Sequence, residues 1–184
     1  MSDLLRQLVL AACLAAALPA WAHDAPPAAS AAPVVAAAVA GQVAIGGAVT
    51  QPLTLDAAAL RQFPADQIVD LRLPGRDAGA PPSVLRGVRL RAVLERAQVK
   101  TADHNTVKKL AVIASASDGY KVVFSWSELF NSELGDSVLV LFERDGKPLA
   151  PAEGPLALIS GKDIRTGPRH VKWLQTVEVR QIVE

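Results

Sequence analysis

The residues with the clearest chemical potential lie between Gly161 and Lys172. Lys162, Arg165, Arg169, His170 and Lys172 face a single acid in that stretch, Asp163. Gly161 and Gly167 bracket the loop, and backbone amides at glycines approach an anion with no side chain in the way. Flanking lysine and arginine add charge, and arginine offers a planar fork for phosphate, sulfate or carboxylate. The loop leaves a buried apolar run, Leu156 to Ile159, and re-enters the fold through Trp173 and Leu174. Lys172, Arg169 and His170, with Arg165 beside them, are therefore expected to line a concave anion site. The simpler alternative is a basic, solvated rim next to a strand. Trp173 reads as a core anchor at the strand entry.

Other chemistries lack the residues they need. No Gly-x-Ser-x-Gly elbow surrounds a serine, and neither His104 nor His170 lies in a hydrolase motif, so no catalytic residue is assigned. Phosphate-loop and dinucleotide fingerprints are absent. Three scattered histidines and one cysteine do not make metal-ligand spacing. Glu128, Glu133 and Asp136 form an acidic group near a turn and read as solvated loop carboxylates. A net charge of +1 and only 4% aromatic residues leave neither a basic field nor stacking rings for nucleic acid.

Several short elements must position the loop. Val43–Val49 reads as a strand whose paired glycines mark a bulge or a close backbone approach. Pro52–Asp56 leads into a short helix over 57–62, capped by Thr54 or Asp56 and stopped by Pro64. Gln67–Leu73 alternates as a second strand, and an irregular loop runs to Pro82. Leu90, Val93, Leu94 and Ala97 share one face of a helix, with Arg89, Arg91, Glu95 and Arg96 turned to solvent. Lys109–Ser115 and Tyr120–Ser125 form a hairpin about Asp118-Gly119. A single helical turn, Trp126–Phe130, takes Ser125 or Ser127 as its cap. Ser137–Glu143 is a strand turned by Asp145-Gly146, and Thr176–Arg180 alternates as the last one. About seven strands with two or three short helices predict an α+β fold with a β-rich mixed-sheet core. One such domain suits the 184-residue length.

The first forty residues have a different character. A basic residue within Met1–Arg6, an apolar run from Leu8 to Leu18 and Ala20-Trp21-Ala22 make a three-part secretory signal over 1–22. The run is shorter than the roughly 20 residues a bilayer requires, and no second run follows, so no transmembrane segment is expected. Residues 23–40 read as an Ala/Pro-rich linker, and the folded domain as 41–184. Periplasmic localisation follows, with lipidation at Cys13, in Leu10-Ala-Ala-Cys13, as the lesser alternative. Cleavage after Ala22 removes Cys13 and leaves the mature chain without a thiol. It also exposes His23, a copper chelator in principle, on a segment too flexible to hold a rigid metal site.

Five pieces occur together in order: Val49–Leu55, Ala116–Tyr120, Asp145–Leu149, Gly154–Ile159, and Val171–Leu174 followed by Val177–Val179. They resemble the molybdopterin-binding domain of the sulfite oxidase family over about Gly41 to the end. The resemblance implies a mixed α+β domain holding a pyranopterin-bound molybdenum that transfers an oxygen atom or reduces an oxidised substrate. It places Lys172, Arg169 and His170 in the loop that grips the pterin and its phosphate, and makes Asp118–Tyr120 a structural landmark. The family's metal-binding cysteine falls, by the same register, on Leu73, which cannot ligate molybdenum. The chain is also shorter than the full enzymes.

Two function classes follow. One is an exported module that binds a small anionic ligand or another periplasmic protein without the molybdenum-ligating cysteine. The other is a molybdopterin-dependent oxidoreductase acting without a protein thiolate. An unrelated hydrolase has no motif behind it. If Leu73 fills a vacated place in the core, Leu73→Ala should cost about 2–5 kcal/mol. The signal reading is tested by intact mass of the exported protein. A chain beginning at His23 is expected, and a diacylated species beginning at Cys13 would overturn it.

Overall fold

The computed structural model describes residues 38–75, 79, 81–100 and 105–182. The signal segment, most of the linker, Cys13, His23 and His104 lie outside the described residues. Ten strands pair into two sheets. The first contains Gln42–Gly47 (β1), Leu53–Asp56 (β2), Leu110–Ala116 (β5), Lys121–Ser125 (β6) and Leu174–Gln181 (β10), in the order β2-β1-β10-β5-β6. Only β1 and β10 run parallel there, with Ile45 opposite Val177. The second contains Ile68–Leu73 (β3), Ser83–Arg89 (β4), Val138–Arg144 (β7) and Lys147–Pro148 (β8), in that order, with Ala157–Ser160 (β9) also paired to β7. The short helices Ala57–Leu60 (α1), Leu90–Arg96 (α2) and Trp126–Phe130 (α3) complete an α+β fold, as the sequence predicts.

The two sheets share one apolar core. Val43, Ile45, Val112, Phe124, Val177 and Val179 come from the first sheet, and Val88, Val138, Val140, Phe142 and Leu158 from the second. Leu60 of α1 and Leu90, Val93 and Leu94 of α2 add to it. A second cluster joins Leu139 and Leu141 of β7 to Leu85, Leu149, Ala157 and Ile159, with Val69, Leu71 and Leu73 packed partly buried against it. Alternate residues of β7 therefore enter different clusters, which is why five consecutive residues there are buried.

Local signals place the elements as expected in several cases. Asp56 caps α1, accepting from the Ala59 amide at 2.7 Å. Ser125 caps α3 in a reciprocal box with Glu128. Asp145 and Gly146 both have positive φ, the geometry of a two-residue hairpin turn, and join β7 to β8. Gly47 has φ +84°, and a Cβ there would lie 2.1 Å from the Val179 carbonyl oxygen, so the close approach read from the glycine pair is real.

Other expectations are corrected. The sequence reading assigned nothing to β4, because a register shift between Arg86 and Gly87 breaks its alternation. A Cβ at Gly87 would sit 2.6 Å from the Val140 carbonyl oxygen, so only glycine lets the bulged strand approach β7. Arg89 and Arg91 are not free solvated groups. Arg91 pairs with Asp136 at 2.7 Å, and Arg89 donates to the Asp66 carbonyl. Asp136, read as a solvated loop carboxylate, is indeed about half exposed but pairs with Arg91 as well.

Leu73 ends β3 opposite Ser83, half-buried against the second cluster rather than in the main core. Partial burial limits what its truncation can remove, so the 2–5 kcal/mol expected from sequence is too large. Leu73→Ala should cost about 1–2 kcal/mol, and Leu139→Ala, fully buried in the same cluster, about 3–5 kcal/mol. Chemical denaturation of the two variants checks the order, and equal losses would place Leu73 deeper than it lies here.

Candidate functional site

The loop leaves β9 and returns through β10, and both ends are fixed by the backbone. Leu158 and Val171 exchange two hydrogen bonds of 2.8 Å, and the Leu174 amide donates to Leu156 at 3.0 Å. The Trp173 amide donates to the Glu153 carbonyl at 2.9 Å. Trp173 itself is not a core anchor: it is 38% exposed, has φ +46° and lies against Gly154. A Cβ at Gly154 would meet the Trp173 ring at 2.6 Å, so glycine is what lets Trp173 pack closely against the run before β9. At the other end the Gly161 amide donates to the Ser137 carbonyl, and the Lys162 amide to the Ser137 hydroxyl.

The loop's cations do not converge on one open pocket. Each of three is drawn to a carboxylate of the protein. Arg169 donates through Nε and Nη2 to both oxygens of Asp163 and through Nη1 to Glu128 at 3.0 Å. Its guanidinium also stacks 4.6 Å above the Phe124 ring. Asp163 accepts in addition from the buried Ser160 hydroxyl at 2.8 Å. Lys162 pairs with Glu133 at 2.9 Å, in an exposed position where such a pair contributes little. Glu128, read from sequence as a solvated acid, is thus both a helix cap and an ion-pair partner.

His170 belongs to a separate, buried group. Its Nε2 lies 2.8 Å from Glu153 Oε1. The same carboxylate accepts from Arg144 Nε at 3.0 Å and Nη2 at 2.8 Å, and Arg144 Nη1 reaches the Ser83 hydroxyl at 3.1 Å. Ser83 is the partner of Leu73 across the β3–β4 ladder. A continuous polar chain therefore runs from beside Leu73 through Ser83, Arg144 and Glu153 to the loop.

These contacts shift the acids. Burial alone would raise the Glu153 pKa, but hydrogen bonds from His170 and Arg144, and their charges, outweigh it and hold the group at about 2. The Arg169 hydrogen bonds hold Asp163 below the usual carboxylate range against a smaller opposing effect of burial. Burial is also the largest influence on Glu128, but bonds from the Ser125 backbone and Arg169 together lower it.

Arg165 and Lys172 differ from the other three. Both are exposed, and neither has a carboxylate partner among the described residues. Exposed Ile164 and half-exposed Trp173 flank them in sequence. The sequence reading named Arg165, Arg169, His170 and Lys172 but not Glu153 or Arg144, which hold His170 in place. No spacing rule points to a glutamate ahead of Gly154-Pro155. Ser125-x-x-Glu128, by contrast, is a legible capping signature. No cluster of three potential metal ligands occurs among the described residues.

Two packed sheets with short helices and a basic, carboxylate-pinned loop define a mixed α+β domain of the sulfite oxidase type. The chain belongs to the oxidoreductase molybdopterin-binding domain family, whose model matches residues 31–183. It is similar to the sulfane dehydrogenase SoxCD from Paracoccus pantotrophus, with a TM-score of 0.55 and 19% sequence identity. The match covers 76% of this chain and 38% of that one, so this chain spans well under half of its structural neighbour. No curated protein matches.

No cysteine occurs among the described residues to offer molybdenum a thiolate. The only cysteine of the chain is Cys13, and Leu73, where the resemblance places the ligand, packs against leucines and Ile159. Arg169 and Arg144 already hold carboxylates, and the His170 ring lies against Glu153.

The depressed Glu153 pKa predicts acid sensitivity. A folded-state value of about 2 against an ordinary 4.5 gives stability that is present above pH 4.5 and lost as pH falls toward 2. Glu153→Gln removes that dependence and leaves Arg144 facing an uncharged partner. It should lower stability near pH 7 by about 2–3 kcal/mol and flatten the melting temperature between pH 5 and pH 2.5, as read by thermal denaturation across that range. An unchanged pH profile would place Glu153 outside the buried group.

Proposed function

We propose that this domain is an exported, non-catalytic member of its family that binds a small anionic ligand, or an acidic face of a partner protein. The contact is made by Arg165 and Lys172. Arg169 and His170 act differently from the sequence expectation: they position the loop and do not meet the ligand. The observation that carries this reading is the division of the loop's charge. Arg169 has Asp163 and Glu128, His170 has Glu153, and only Arg165 and Lys172 are exposed without a carboxylate. Each of the two therefore offers an arriving anion a charged donor that no carboxylate among the described residues already holds.

The family match favours a second reading, a molybdopterin-dependent oxidoreductase that needs no protein thiolate. A molybdopterin would supply oxygen-atom transfer chemistry. Periplasmic export enters both readings through the signal segment alone, and no helix among the described residues is long and apolar enough to cross a membrane.

One preparation separates them. Protein produced with its signal in a molybdenum-replete host is assayed for molybdenum and for released pterin, then titrated with phosphate, sulfate and a pterin phosphate. The proposal expects no stoichiometric metal. It expects the Arg165→Ala/Lys172→Ala variant to bind anion about ten-fold or more weakly than wild type, since a charge-assisted bond contributes roughly 1.5–3 kcal/mol. Arg169→Ala should lower stability while the fraction still folded binds as before. Stoichiometric molybdenum supports the enzyme reading, and equal binding by the double variant removes the assigned residues.

A further inference from the structure

The basic loop carries apolar surface for which a small anion has no use. Ile164 is wholly exposed and directly precedes Arg165, and half-exposed Trp173 directly follows Lys172. Each loop cation without a carboxylate partner among the described residues is thus next in sequence to an exposed apolar side chain. A second ring, Tyr120, is 45% exposed. Hydrogen bonds gather these groups at one end of the first sheet. The Tyr120 hydroxyl donates to the Pro168 carbonyl at 2.6 Å. In the same β5–β6 turn, the Ser117 amide donates to the Trp173 carbonyl at 3.1 Å.

Single exposed apolar residues are ordinary on a protein surface. These differ in being held in place from behind. Asp163, just before Ile164, accepts from the Ser160 hydroxyl at 2.8 Å and is gripped by Arg169. The Lys162 amide is bonded to the Ser137 hydroxyl. The two residues ahead of Ile164 are therefore tied to the fold. Trp173 is tied as well, through its amide to Glu153 and through its indole Nε1, which donates to the Pro151 carbonyl at 3.2 Å. Side chains ordered in advance lose less freedom on association. The polar tips of Trp173 and Tyr120 are both engaged within the protein, so each presents ring surface outward. Aromatic residues that anchor at a lipid surface keep those tips for the wet side, and this arrangement favours a protein partner over a membrane.

We propose that this end of the molecule docks a partner protein through a segment in which acidic and apolar residues adjoin. The proposal rests on the assignment of Arg165 and Lys172 made above, and it selects the partner protein over the small anion. Charge complementarity calls for the acids. Arg165 and Lys172, with exposed Lys121 beside Tyr120, outnumber Asp118 of the turn, whose carboxylate accepts from the Tyr120 amide at 2.9 Å. The partner's apolar residues cover Ile164 and the two rings. Arginine, tryptophan and tyrosine are the side chains that most often dominate such contacts. Phosphate or sulfate bound at the same cations would leave Ile164 and both rings in water.

The test is selection of displayed random peptides on the full chain, followed by titration with a synthetic copy of the most enriched peptide, with phosphate and with phosphatidylglycerol vesicles. Enriched peptides are expected to carry aspartate or glutamate beside apolar residues. Ile164→Ser removes no buried contact, so the melting temperature holds, and it should weaken the peptide about ten-fold while leaving phosphate unchanged. Val123→Ser should bind the peptide as wild type does, because Val123 lies on the face of β6 opposite Phe124, on whose ring Arg169 stacks. Arg165→Ala/Lys172→Ala should weaken the peptide at least as much as Ile164→Ser. Wild-type affinity in Ile164→Ser, with loss in the double variant, overturns this proposal and leaves the anion reading standing. Wild-type peptide affinity in the double variant overturns both. Absence of enrichment, enrichment of acids without apolar residues, or binding to the vesicles in preference to the peptide also overturns the docking of a protein segment here.

Discussion

Strand β7 has no face left for solvent over most of its length, and much of the molecule follows from that constraint. Val138, Val140 and Phe142 enter the main core while Leu139 and Leu141 enter the second cluster. A strand in that position needs partners on both edges and cover on both sides. β4 supplies one edge, with Gly87 allowing the close approach, and β9 with β8 supplies the other. Only at its last residues does β7 turn polar, and those residues join two different ion-pair groups. Glu143 pairs with Arg61 and Arg86, and Arg144 holds the Glu153 carboxylate that meets His170 of the basic loop.

The loop shows how charge count and charge availability come apart. Five basic residues in twelve look like a strong positive field in the sequence. In the fold, carboxylates from three other segments reach them: Glu128 from α3, Glu133 from the turn after it, and Glu153 from the run before β9. The exposed Lys162–Glu133 pair contributes little, but the part-buried pairs of Arg169 and Glu153 are expensive to break from one side, because the remaining charge is left partly desolvated. Arg169, stacked on Phe124 and bonded to two acids, is the firmest example. Its role is to hold the loop shut against the first sheet.

Short-range chemistry was legible in the sequence where a turn or cap is written in adjacent residues. Asp118-Gly119, Asp145-Gly146, the Asp56 cap and the Ser125 cap all stand where the residues place them. The family, too, could be read from pieces scattered through the chain, and its model matches. Strand β4 was hidden because its bulge destroys the period that identifies strands, and β8 because two residues carry no period at all. Glu153 and Arg144 were invisible for a different reason. They are nine residues apart, on separate elements, and only the docking of the 149–156 run against the end of β7 brings them together. The second cluster was equally hidden, since an unbroken apolar run shows burial but not how many cores share it.

The parallel pairing of β1 with β10 has a consequence for how such a chain reaches its structure. β10 lies between β1 and β5, in the middle of the first sheet, yet it comes last in chain order among the described strands. Until it arrives, β1 and β5 have no common neighbour, and the apolar faces of both strands stay open. Joining Ile45 to Val177 closes a loop that spans most of the described chain, an entropic demand met only late in folding. The first sheet is thereby completed only when β10 docks between β1 and β5.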